Sequence, residues 1–249
     1  MTFKLPKNYV MRYVIYTFGL FILLLLTLGG IASKLLQGIP RVMDWLITIT
    51  AWTPTYVFLL MFRKLYPGQT LQEFFRGAFR QKPNVRLLTA TTLVQILIFA
   101  TSVAIVATQQ GVQTISLLDF SSPTIIPGLF FVLMQGPTGE ETGWRGYLLP
   151  EVIKKHGVAK GCLWVSLVWS FWHAPVWFLG TEYSGIVLVK YIAAFVVSIA
   201  SLGFIMGIFY YHCRNLLIPI WMHFICGPSI LKKPPPNYFS RRIGGSLCI

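Results

Sequence analysis

The sequence predicts an all-α, polytopic transmembrane bundle of about seven hydrophobic segments, and three observations carry that expectation. Of 249 residues, 55% are hydrophobic and only 11% charged, against about 25% charged in a soluble domain. Apolar windows of span length recur along the chain, and mean hydropathy is +0.66. No long stretch alternates polar and apolar residues, which sets a β-barrel aside. A net charge of +14 would suggest nucleic acid in a soluble protein. Here the basic residues fall between spans, where membrane lipid is the partner, and no nucleic acid is expected.

The first segment, residues 13–31, follows a basic start (Lys4, Lys7, Arg12). Its length, and the spans that follow, read as an uncleaved helix rather than a signal peptide. The second, 45–62, opens onto Arg63, Lys64, Arg76, Arg80, Lys82 and Arg86, opposed only by Glu73. The third, 87–107, leads into residues 108–122, which hold no Lys or Arg. The fourth runs over 124–134 and continues past a Gly-Pro break into a connection with Arg145, Lys154, Lys155 and Lys160. The fifth covers 161–179 and the sixth 186–211. Within the sixth, Gly203 and Gly207 have the small-xxx-small spacing of ordinary bundle packing. The seventh, 216–226, is too short to cross a bilayer alone. The Lys/Arg asymmetry predicts a multi-pass protein of the cell membrane with its N-terminus cytoplasmic, and Glu140 and Glu141 at the cytoplasmic end of the fourth segment. Cys162, Cys213, Cys226 and Cys248 form no CxxC and no His/Cys cluster, so neither a disulfide framework nor a zinc site is expected. Cys248 is also misplaced for prenylation. From Gly227 on, a Pro triplet and four basic residues read as an extended tail.

Ionisable groups inside apolar runs are costly and default to functional candidates. Of seven acidic residues, Asp44 at a span edge and Asp119 in a loop need no special role. Glu140 and Glu141 lie side by side in "QGPTGEETGWRGYLLPE". Thr138-Gly-Glu-Glu141 fits a capping box behind Pro137, which explains one glutamate and leaves the other. Arg145, four residues on, shares a helix face with Glu141, while Glu140 points about 100° away. A fixed pair beside an unpaired carboxylate suits general-base chemistry. His173, in "LVWSFWHAPVWFL", precedes Pro175, which frees carbonyls in the preceding turn; Trp169 shares its face. His223 sits in "NLLIPIWMHFICG". A lone histidine among aromatics is usually core, but two of them with a carboxylate pair, on three segments, are not explained by packing. There is no HExxH and no GxSxG, and the two aspartates form no membrane dyad. Glu plus His remains, a water-activating set that needs no covalent nucleophile. No inverted repeat supports a transporter.

"EETGWRGYLLP" resembles the EExxxR motif of the CPBP family, the membrane endopeptidases related to CAAX-prenyl proteases and to bacteriocin-processing or immunity proteins. "VWSFWHAPVWF" resembles its second motif, an aromatic four residues before a histidine, and "NLLIPIWMH" the approach to its third. The similarity covers about residues 85–226, in the family's order. It implies a glutamate-dependent intramembrane protease with a polar cavity open to the cytoplasm, acting on a membrane peptide or prenylated protein. Glu140 would activate the water, Glu141 and Arg145 would shape its field, His173 would orient it or shuttle its proton, and His223 would help stabilise the oxyanion; no metal or other cofactor is expected. The chain then divides into an N-terminal transmembrane pair with a basic cytoplasmic loop (1–84), a CPBP-like catalytic core (85–226) and a Pro-rich, disordered tail (227–249). The family's Asn or Asp would fall at Gly227, and its C-terminal helix is missing or altered here. Those departures raise the alternative of a non-catalytic member, an immunity or peptide-binding protein. Substrate identity and oligomeric state are not encoded in any motif.

Overall fold

The computed structural model describes residues 8–35, 40–118, 125–179, 181 and 183–226, and among them the chain is helical without a β-strand. The expectations for Asp119, the side chain of Asp44, Gly227 and the tail fall outside the described residues. All seven hydrophobic segments hold helix among the described residues. Among the described residues four stretches are long and apolar enough to cross a membrane: Tyr9–Gly30 within α1 (Tyr9–Leu35), α5 (Val85–Gln110), Val158–Leu179, and α11 (Gly185–Cys213). A fifth is the pair α2 (Pro40–Ala51) and α3 (Thr53–Leu65), whose Trp45–Ala51 and Thr53–Leu65 portions are bent by 43°. The expected single span over 45–62 is therefore broken at Trp52, beside Pro54, which cannot donate to the helix ladder. The fourth and seventh segments hold α6 (Ile125–Gln135, 11 residues) and α12 (Leu217–Ile225, 9 residues), well short of the ~20 a span needs.

Local sequence sets the boundaries. Between α3 and α5 the short α4 (Leu71–Ala78) starts on a reciprocal capping box, Thr70 with Glu73. Asn84 caps α5 by accepting from the Leu87 amide at 3.1 Å, and Gly111 ends it in the left-handed conformation at φ 66°.

The centre of the molecule is one continuous, irregular path. It runs through α6, α7 (Pro137–Glu141), a π-helical turn (Thr142–Leu148) and α8 (Leu149–His156). All seven residues of the π turn are buried, walled by α3 on one side and by α8 and α9 (Val158–Trp172) on the other. Tyr13 of α1 meets Tyr147 edge to face at 4.8 Å, and Trp144 meets Trp172 at 6.0 Å. Such aromatic pairs are worth about 0.5–1.5 kcal/mol each beyond the area they bury. The most extensive helix–helix seam joins α9 to α11. Gly203 and Gly207 lie on it: a Cβ at Gly207 would come within 2.9 Å of Cys162 Sγ, and one at Gly203 within 2.9 Å of Ser166 Oγ. The small-residue spacing is thus a packing notch. Outward, Leu26, Leu93, Leu97 and Val197 are each more than half exposed, an apolar surface suited to lipid rather than water.

Candidate active site

The site begins where α6 fails. Pro137 has no N–H, so the carbonyl four residues back, Leu133, loses its helical partner. Thr138 Oγ1 donates to it at 3.0 Å and lies 3.3 Å from Met134 O, which also accepts from Trp52 Nε1 at 2.6 Å. The expected capping box is therefore absent. The N-cap is Gly136, without a side-chain cap, because the Thr138 hydroxyl is drawn to the released carbonyls and Glu141 turns inward.

Glu141 and Arg145 form the predicted pair, Nη1 to Oε1 at 2.9 Å, with both side chains buried. The same Oε1 accepts from His223 Nδ1 at 2.8 Å; a carboxylate only accepts, so the Nδ1 of His223 carries the hydrogen. Arg145 Nη2 has no acceptor among the described residues. The guanidinium instead lies 4.3 Å over the Trp169 ring, in the space that Gly203 leaves beside it.

Glu140, 4% exposed, is one helical step away and in different company. Its Oε2 accepts from Trp169 Nε1 at 2.6 Å, an indole rather than a cation. His173 terminates α9, with Nδ1 2.8 Å from the Trp169 carbonyl. A carbonyl cannot donate, so here too Nδ1 carries the hydrogen and a neutral ring presents Nε2 as an acceptor. The break that turns this ring out is continued by α10 (Ala174–Leu179), which starts one residue before Pro175.

Glu140, His173 and His223 face one cavity of about 560 Å³, walled largely by apolar side chains such as Phe21, Leu25, Leu46 and Ile199. Glu141 and Arg145 stand behind its wall. Gly136 marks where the reactive atoms meet: a Cβ there would lie 2.7 Å from His223 Nε2 and 3.3 Å from Glu140 Oε1. All five residues expected from sequence thus gather from three segments. The short α12 that delivers His223 is held by Gln95 Nε2 to Met222 O at 2.8 Å, by Trp221 Nε1 to Thr92 Oγ1 at 2.9 Å, and by Leu216 N to Ala78 O at 2.9 Å. Sequence reasoning passed over Gln95, Trp52 and Gly136. Only Gln95, a carboxamide inside an apolar span, gave a signal. Among the described residues no group of three or more His, Cys, Asp or Glu side chains is arranged to hold a metal.

Comparison with known proteins gives two findings. The family model described as type II CAAX prenyl endopeptidase Rce1-like matches residues 122–227, the stretch that contains all five residues. A relative from Methanococcus maripaludis, CAAX prenyl protease 2, is 22% identical, with 88% of this chain and 79% of that protein aligned. Both support the family that the motifs resemble.

Proposed function

We propose that this chain, a member of the CPBP family, is a CAAX-type intramembrane endopeptidase that hydrolyses a peptide bond with a water activated by Glu140. One observation carries the reading: a carboxylate bonded to no cation among the described residues shares an apolar cavity with two imidazoles, and its charged neighbours are locked behind the wall. The substrate is a prenyl-protein tail or similar membrane peptide, its lipid-like part suited to the apolar walls.

The chemistry follows from the free atoms. Water lies against Glu140 Oε1 and donates to His173 Nε2, which orients it. As its oxygen attacks the scissile carbonyl, Glu140 takes its proton. The developing oxyanion is met by His223, which in its protonated form donates from Nε2 while Nδ1–H stays on Glu141. Such a donor is typically worth about 3 kcal/mol. Collapse of the intermediate returns the proton from Glu140 to the leaving amine. Glu141 and Arg145 hold His223 and fix the local field, and no covalent intermediate is required.

The decisive experiment is cleavage of prenylated CAAX peptides by the detergent-purified protein, with Glu140→Gln as the blank. Cleavage by the wild type alone is expected; equal cleavage by both would sink the mechanism. The basic connection 63–86 supports presentation from the cytoplasmic side. Cysteines introduced at positions 75 and 115 should be, respectively, protected from and open to an impermeant reagent added outside. The reverse pattern would overturn that orientation.

A further inference from the structure

Trp169 touches four of the five site residues. Its indole N–H donates to Glu140 Oε2 at 2.6 Å, its ring lies under the Arg145 guanidinium at 4.3 Å, and it meets His173 and His223 edge to face at 5.7 and 5.1 Å. An aromatic ring is negative on its face and positive at its edge. The cation lies over the face and the carboxylate is bonded at the edge N–H, so one side chain satisfies both charges in the orientation its quadrupole favours. The ring is 1% exposed, so the bond is held without solvent competition. The arrangement also distinguishes the two oxygens of Glu140. With Oε2 occupied, Oε1 is the atom beside Gly136, close to where His223 Nε2 points.

We infer that Trp169 is the positioning residue of the general base. Its N–H fixes the Glu140 carboxylate so that Oε1 alone faces the water, while its ring keeps Arg145 with Glu141 and away from Glu140. An aromatic ring without the N–H would do only the second. This rests on the proposed hydrolytic role of Glu140, and the test separates the two.

Two arms are needed, both on the full-length protein in detergent. In the first, the indole ¹⁵N–¹H resonance of Trp169, identified by its loss in Trp169→Phe, is followed in Glu140→Gln. It should move upfield as a charged acceptor becomes a neutral one; an unmoved resonance overturns the inference. In the second, Trp169→Phe and replacement of Trp169 by its benzothienyl isostere (same shape, sulfur for N–H) are assayed on a prenylated peptide. Losing a hydrogen bond to a charged group should lower kcat about tenfold to a hundredfold, with KM within about twofold. The isostere covers the case in which Trp169→Phe folds poorly. Wild-type kcat in the isostere overturns the inference even if Glu140→Gln is inactive. A wild type that cleaves nothing refutes the proposed function, and the indole resonance then decides alone whether Trp169 holds Glu140.

Discussion

On the cavity side of the junction between α7 and the π turn, Glu140 keeps one oxygen for an indole and turns the other to an open wall. On the packed side, Glu141 and Arg145 are sealed against each other and against His223. The two carboxylates are adjacent in sequence and the difference between them is angular: one residue of helix rotates the side chain by about 100°. Buried ion pairs contribute little net stability, but breaking one strands a charge. A reactive carboxylate is useful because it is not committed to a cation. The layer behind the cavity thus supplies rigidity and the layer facing it supplies chemistry, and substitutions should divide accordingly.

The largest effect is expected at Glu140→Gln, which keeps shape and loses the base. Turnover should drop by about 10²–10⁴-fold while thermal unfolding in detergent stays put; a matching loss of stability would erase the contrast between the layers. Arg145→Ala should do the opposite in kind. Leaving Glu141 with His223 as its remaining partner should cost about 3–5 kcal/mol, read as a fall in the unfolding midpoint before any assay is run. Gly136→Ala probes the boundary, because its Cβ would lie 2.7 Å from His223 Nε2. Overpacking of about 1–3 kcal/mol should come with a larger proportional loss of kcat than of stability. Thr138→Ala removes the donor to Leu133 O and should cost about 1 kcal/mol, with kcat nearly intact. The smallest effect lies away from both layers, at Glu73. Backbone and side-chain hydrogen bonds from Thr70 lower its pKa in the folded state. Its contribution is therefore present above the usual carboxylate range and lost as pH falls through the lowered value. Protection of the amides in the first turn of α4, measured against their intrinsic exchange rates, should fall in acid, and Glu73→Gln should flatten that dependence.

Legibility from sequence followed the range of each interaction. Glu141 with Arg145 could be read because four residues make a helix face. The bundle could be read because burial in lipid demands long apolar runs. The capping box was misread for a local reason. A threonine after a proline meets two demands, free amides ahead and a released carbonyl behind, and with α6 ending at Gln135 the carbonyl won. The break at Trp52 was hidden because the apolar composition continues through it. The Trp169–Glu140 bond spans 29 residues, and the tether of Gln95 to α12 spans 127. Neither has a period or motif, and only the folded chain brings those atoms together.

The notch on α11 bears on assembly. Small residues spaced by four are the usual means by which two membrane chains bring their helices into contact. In this chain Gly203 is filled by Arg145 and Ser166, and Gly207 by Cys162 and Leu149, all from the same polypeptide. A second copy approaching along that face would find the seat taken. Self-association through the Gly203/Gly207 notch would first have to expel Arg145 from beneath Gly203. For this helix, the motif that most often signals a partner chain instead closes the protomer on itself.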